Sequence, residues 1–367
     1  MRTGKLRLVL AVLVVAELLA ALYLWLPRQR APAPRVAAPE IEERHFLTVR
    51  VLDPSGGAVE RTYETRSFVY VGALAIRMFS AWYPFSIDCY ASYLTEEMWF
   101  VALGADGADA SGACGMLLEC NRYAYPSLVF LGSGTSADGG RTLGNPLRVS
   151  SVPTVTYLYN NVWFNVTVTA TFSFSQDTTV SEAMLAVSHE ASGALYVSLV
   201  YDSFPAVTVP AGGSLTIQWT FAWKDYGAFT ENWGKLWQYA LTLNWPAPNQ
   251  YLDFTDDTGA TVSIPWFNRY SGSTVALRLA WGSGTSPMSR SSYRLQSETG
   301  SAQAGFSLVG TGFSVGGAVG GQASEVGLYW LACDESGNPH RILLMRWVPG
   351  YALPAGTPVN IYVAKGG

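Results

Sequence analysis

The feature that most constrains this chain is an internal repeat. Val207 to Trp219 reads VTVPAGGSLTIQW and Leu353 to Val363 reads LPAGTPVNIYV, which sets Pro210-Ala211-Gly212 against Pro354-Ala355-Gly356. Three further pairs follow the same order in both halves: Ser192-Gly193 with Ser336-Gly337, Ser181-Glu182 with Ser324-Glu325, and Gly132-Ser133-Gly134-Thr135 with Gly282-Ser283-Gly284-Thr285. Matched turns in matched order mean one supersecondary unit used twice.

Between these turns lie short runs of alternating apolar and polar residues bounded by Gly, Pro, Asn and Asp. His45–Asp53 and Val59–Thr65 form a hairpin around Pro54–Gly57. The first copy supplies strands at 128–131, 154–159, 163–174, 183–188, 194–201 and 215–222. The second supplies 251–254, 260–265, 275–281, 304–309, 326–332, 341–347 and 359–363. Many short strands with frequent turns specify a sandwich or barrel. Two segments break the pattern with helical spacing: Val71, Leu74, Ala75, Met78, Phe79 and Trp82, then Trp233, Leu236, Trp237, Ala240 and Leu241 behind Thr230 as N-cap. The expected fold is mainly β: two tandem β-sandwich-like domains at 45–226 and 227–367, each with one short amphipathic helix. Gly104–Gly115 is the extra loop that makes the first copy longer.

The N-terminus sets the compartment. Leu8–Leu26 is a 19-residue apolar run broken only by Glu17, long enough to span a hydrocarbon core of about 30 Å. Residues 1–26 read as an uncleaved membrane anchor, the alternative being a signal sequence, because Pro27-Arg28 follows where a cleavage site needs small residues. Residues 27–44 form a Pro/Ala-rich spacer. Lys and Arg are balanced across the span, so orientation rests on the large β-rich part lying outside the membrane. Glu17 would sit near the bilayer centre, either facing a partner inside the membrane or as a protonated, tolerated carboxyl.

Charged residues make up 14% of the chain, about half the usual share, so the surface is built of uncharged polar groups, as in secreted or particle-forming proteins. A net charge of −4 without a basic stripe excludes nucleic acid as a partner.

Chemistry-bearing motifs are sparse. The twin GSGT turns expose backbone N–H groups as phosphate loops do, but no helix begins after either, so both read as plain turns. Gly312-Phe313-Ser314-Val315-Gly316 matches GxSxG, but a Gly-rich run follows where a helix should start. His45, His189 and His340 lack the companions a metal site needs. The aspartate sets Asp106/Asp109 (with Ser111) and Asp253/Asp256/Asp257 lack calcium-loop spacing, and Asp257-Thr258-Gly259 reads as a hairpin turn. Glu96 and Glu97 point to opposite faces of a strand. No cofactor, metal or catalytic residue is assigned. Cys114 and Cys120 are the disulfide candidates, worth about 2–3 kcal/mol, with Cys89 able to capture either and Cys333 expected as a buried free thiol. Asn165-Val166-Thr167 is a glycosylation sequon whose use requires a solvent-facing strand edge. Of thirteen tryptophans, Trp219, Trp223, Trp233 and Trp237 fall where core residues fall, although exposed rings would make a carbohydrate platform.

The order of these turns resembles modules of minor structural and tail-fibre-associated proteins of tailed phages and related viruses. The second copy matches best, with Gly282-Ser283-Gly284-Thr285, Leu295, Ser324-Glu325-Val326-Gly327-Leu328 and Leu353-Pro354-Ala355-Gly356, whereas the first has Ala183-Met184-Leu185 in place of the Gly-Leu pair. The resemblance implies a structural role. Together these features predict a non-enzymatic, single-pass membrane-anchored surface or virion protein that acts in assembly or adhesion through self-association or other surface proteins. The alternative is an extracellular module that binds glycans.

Overall fold

The computed structural model describes residues 42–68 and 124–365, with breaks at 138–139, 141, 161, 190–194, 226–227, 243–250, 266–276, 310–311, 335 and 337. The helix expected over 71–82, the apolar run 8–26 and the loop 104–115 lie outside the described residues. No helix among the described residues is long and apolar enough to cross a membrane.

Eighteen strands and one helix are described. A hairpin of β1 (Glu43–Leu52) and β2 (Ala58–Thr65) comes first. Seven strands follow: β3 (Ala124–Gly132), β4 (Pro146–Ser151), β5 (Thr154–Tyr159), β6 (Trp163–Ser173), β7 (Thr178–His189), β8 (Leu195–Val209) and β9 (Ser214–Lys224). Helix α1 (Glu231–Thr242) leads to a second hairpin, β10 (Tyr251–Thr255) and β11 (Thr261–Pro265). Another seven strands close the chain: β12 (Leu277–Gly282), β13 (Glu298–Gln303), β14 (Gly305–Val309), β15 (Gly312–Ala318), β16 (Glu325–Cys333), β17 (Pro339–Trp347) and β18 (Pro358–Lys365).

The sheet orders carry the repeat. One four-stranded sheet runs β4-β3-β7-β8 and another β13-β12-β16-β17, the same order with each strand replaced by its counterpart. Facing layers repeat in the same way: β5-β6-β9 lies within the sheet β2-β1-β9-β6-β5, and β14-β15-β18 forms its own sheet. Alternation explains the layering. In β6 and β9, Phe164, Val166, Val168, Leu215, Ile217 and Trp219 are buried, while their sequence neighbours on the opposite face are partly exposed. Strand β16 is buried at every position, and Trp330 packs edge-on against Phe254 of β10 at 5.3 Å.

Both hairpins turn by the same chemistry. Asp53 accepts hydrogen bonds from the Ser55 and Gly57 amides, and Asp256 from those of Thr258 and Ala260. Gly56 and Gly259 take φ of 91° and 88°, where a side chain would strain the backbone. The turn expected at Asp257–Gly259 is therefore present, with Asp256 as its organising residue. Among the described residues each repeat thus comprises a hairpin and seven strands, and α1 stands between them.

Helix α1 belongs to both sides. Its apolar stripe of Trp233, Leu236, Trp237, Ala240 and Leu241 is at most 1% exposed, each large side chain contributing about 1.5–3 kcal/mol of burial. Trp237 lies 4.4 Å from Trp223, and Gln238 donates to the Val155 carbonyl of the first repeat. Thr230 does occupy the N-cap position, but its hydroxyl donates to the Leu343 and Leu344 carbonyls of β17 instead of capping the helix, and Asn232 donates to Thr255 and Leu343. Both repeats fall inside one compact unit.

Three strands escape the sequence reading. β4 and β13 are equivalent sheet edges without a run of alternating large apolar residues, and β15 is the Gly-rich stretch that matched GxSxG. Strand β8, expected to stop at Tyr201, runs on to Val209 through Pro205, which an edge strand accommodates.

Candidate functional site

The twin Gly-Ser-Gly-Thr turns are cradles, and each holds a carboxylate of the chain itself. Glu182, inside the central strand β7, and Glu325, the first residue of the central strand β16, are fully buried. Glu182 accepts N–H bonds from Gly134 at 3.1 Å, Gly144 at 3.1 Å and Asn145 at 3.0 Å. Glu325 accepts them from Gly284 at 3.1 Å, Gln296 at 3.0 Å and Ser297 at 2.7 Å. Amide N–H groups converging on one anion replace the water it loses on burial. A Cβ at Gly132 or Gly284 would overlap the carboxylate, so glycine there is a steric requirement. The turns were expected to be plain; they enclose an anion, and no helix is needed because three backbone amides suffice.

Each glutamate has one further partner, from equivalent positions on the neighbouring strand. Tyr201 pairs in register with Met184, and Arg346 with Gly327, each two residues beyond the glutamate. The Tyr201 hydroxyl donates to Glu182 at 3.0 Å and accepts from the Ser136 amide at 2.8 Å. Arg346 donates through Nε to Glu325 at 2.7 Å and through its terminal nitrogen to the Ser286 carbonyl at 3.1 Å. Burial pushes the Tyr201 phenol up to about 12, opposed by the Ser136 amide and aided by Glu182. Burial also raises Glu325, but the Ser297 and Gln296 amides with Arg346 outweigh it and hold the carboxyl below its ordinary range.

Leu295 explains the Ser-Glu-x-Gly-Leu run. It packs with Ala280, Tyr329 and Leu343, its amide donates to the Tyr329 hydroxyl at 2.9 Å, and Gly327 leaves room for its tip. Met184 stands in the Gly327 position of the first repeat, where Leu143 is only half-buried.

A second buried polar cluster joins β1, β8 and β9. His45 Nε2 meets Glu43 at 2.7 Å and its Nδ1 accepts the Ser67 amide at 3.0 Å, which places the ring proton on Nε2. Asp202 accepts the Trp219 indole N–H at 2.8 Å and the Ser67 hydroxyl, and burial raises its carboxyl to about 6 against these bonds. Serine, histidine and aspartate therefore meet, but the Ser67 hydroxyl is bonded to Thr65 and Asp202, away from the imidazole. A serine–histidine pair for nucleophilic attack is not assembled.

The remaining expectations find their places as follows. Gly312–Gly316 is continuous strand in β15, not a strand-to-helix elbow. His340 lies between Asp256 at 3.0 Å and Asp334 at 3.3 Å, one carboxylate on each ring nitrogen. Asp253 accepts the Ser263 hydroxyl, and Asp257 pairs with Arg341 at 3.3 Å. Trp219, Trp223, Trp233 and Trp237 are core residues, and Trp281 is 9% exposed. Asn165 sits in β6 between β5 and β9, with its side-chain oxygen buried. Cys333, expected as a free thiol, is instead buried and disulfide-bonded. Glu17, Cys89, Cys114, Cys120, Glu96 and Glu97 lie outside the described side chains, as does the His189 ring. Sequence reasoning missed Tyr201, Arg346, Asp202 and the Glu43–His45 pair. The available signal was polarity inside otherwise apolar strands, as with Arg346 in HRILLMRW.

In comparisons with known proteins, no family model, curated protein or solved structure matches the chain.

Proposed function

We propose that this chain is a non-enzymatic surface or virion structural protein, held to a membrane by its N-terminal segment, whose extracytoplasmic repeats act in assembly or adhesion. The observation that carries this reading is the duplicated cradle. Glycine loops and acidic side chains of the kind that face substrate in enzymes are here turned inward and bonded to each other, in both repeats. Such clamps stiffen a scaffold whose work lies in its surfaces. The resemblance of its order of turns to tailed-phage structural modules fits the same role, and the low share of charged residues suits an exposed, particle-forming protein.

The test is the mass of detergent-extracted full-length protein beside a truncation starting at Glu40. Discrete oligomers in the full-length protein, larger than those of the truncation, are expected. Monomers in both would remove assembly through the N-terminal segment and make a glycan array on the soluble body the next experiment.

A further inference from the structure

In the first repeat the central strand β9 is paired on both sides, with β6 along Trp163–Ser173 and with β1 along Glu43–Leu52. Its counterpart β18 pairs with β15, and among the described residues no strand lies on its other side. The hairpin whose turn matches β1–β2 has gone elsewhere. Residues of β10–β11 are tied down by Asp257 N–H to Arg341 O at 2.8 Å, Asn232 to Thr255 O at 2.8 Å and Lys235 to Asp253 O at 2.6 Å. Its strands are five residues long against ten for β1, too short to cover the eight of β18.

An open edge is a template for another strand, and natural folds blunt it with charge. Strand β2, also an edge, carries Glu60, Arg61 and Glu64. Strand β18 has no charged residue between Pro358 and Lys365, and its Val359 and Ile361 are buried while Asn360 is exposed. We propose that β18 pairs antiparallel with β18 of a second copy of this chain, joining two three-stranded sheets across a two-fold axis. A two-fold axis perpendicular to the sheet makes the two strands antiparallel, the sense of every described pair in the fold. The strand also offers its copy the alternating apolar residues that β1 offers β9. The charged edge of β2 in a neighbouring copy, which would give an open head-to-tail chain, finds no matching charges along Val359–Ala364. This inference rests on the assembly reading and names the partner.

The test needs no variant. Full-length protein in detergent is followed by sedimentation over a wide concentration range, and amide exchange is read in segments 358–365 and 58–65 at both ends of that range. A concentration-dependent doubling of mass is expected, with exchange in 358–365 slowed about tenfold or more and 58–65 unchanged. Oligomers with unchanged exchange in 358–365 would overturn the β18 contact while leaving assembly through the N-terminal segment standing. Protection of 58–65 would replace the two-fold pair by head-to-tail growth. A monomer at every concentration would overturn this contact together with the assembly reading.

Discussion

Arg346 takes in the second repeat the place that Tyr201 takes in the first, and both reach the same cradled carboxylate. A cation therefore balances Glu325, while a phenol serves Glu182. Removing one partner of a buried ion pair leaves an uncompensated charge, at a cost of about 3–5 kcal/mol. Losing one hydrogen bond from a phenol to a carboxylate costs about 1.5–3 kcal/mol. Arg346→Met is thus expected to destabilise the protein more, in free energy, than Tyr201→Phe. Urea unfolding followed by tryptophan fluorescence compares the two; equal losses would mean that the guanidinium is not balancing the glutamate.

The glycines of the cradle give a steric prediction. A Cβ at Gly284 would overlap the Glu325 carboxylate and lie 2.7 Å from Gln296 Cβ, whereas one at Gly350 meets nothing within 4 Å and only the strain of φ 80° remains. Gly284→Ala is expected to cost about 2–4 kcal/mol, combining overpacking with a displaced buried charge, against about 1 kcal/mol for Gly350→Ala. Thermal melts of both variants decide it, and a Gly350→Ala loss as large as that of Gly284→Ala would sink the steric argument.

Asp202 and Glu325 respond to acid in opposite senses. Asp202 has a folded value near 6 against 3.8 for the free side chain, so the folded state keeps a proton that the unfolded state releases. Its contribution to stability falls as pH rises from about 4 to 6, by on the order of 2–3 kcal/mol. Glu325, held below 4.5, contributes stability above that value and loses it as the pH falls through its folded pKa. Asp202→Asn should remove the gain in stability that wild type shows between pH 7 and pH 5. Unfolding midpoints at pH 7, 6 and 5 that run parallel in the two proteins would contradict this.

Much of the architecture is legible in the chain because turns and alternation are local. The Pro-Ala-Gly pairs mark the β8–β9 and β17–β18 turns, with Gly212 and Gly356 at φ 80° and 82°. Edge strands β4 and β13 are illegible because one face and one edge need no apolar residue. The cradles were half visible: both turns and both Ser-Glu pairs stand out in sequence. Their meeting across 41 to 48 residues depends on the antiparallel pairing of β3 with β7 and of β12 with β16.

Gly327 and Leu295 form a coupled pair. A Cβ at Gly327 would lie 2.9 Å from the Leu295 tip and 3.0 Å from Leu343, both ends of movable side chains. Gly327→Ala is expected to cost about 1–3 kcal/mol, and Leu295→Ala about 2–5 kcal/mol. The double variant should cost less than the sum, because each change relieves the other. Strict additivity in a double-mutant cycle would show that the two do not compete for space.

The helix between the repeats changes what duplication means for this chain. Gly234 N–H donates to the Tyr159 hydroxyl on one side, and the Thr230 hydroxyl to β17 carbonyls on the other. Duplicated units normally remain exchangeable cassettes, able to be shuffled into other genes or lengthened by further copying. Here each copy packs against a helix that the other also needs. Removing either copy would strip one side of the helix of its cover, so neither can be cut away without unwrapping the other.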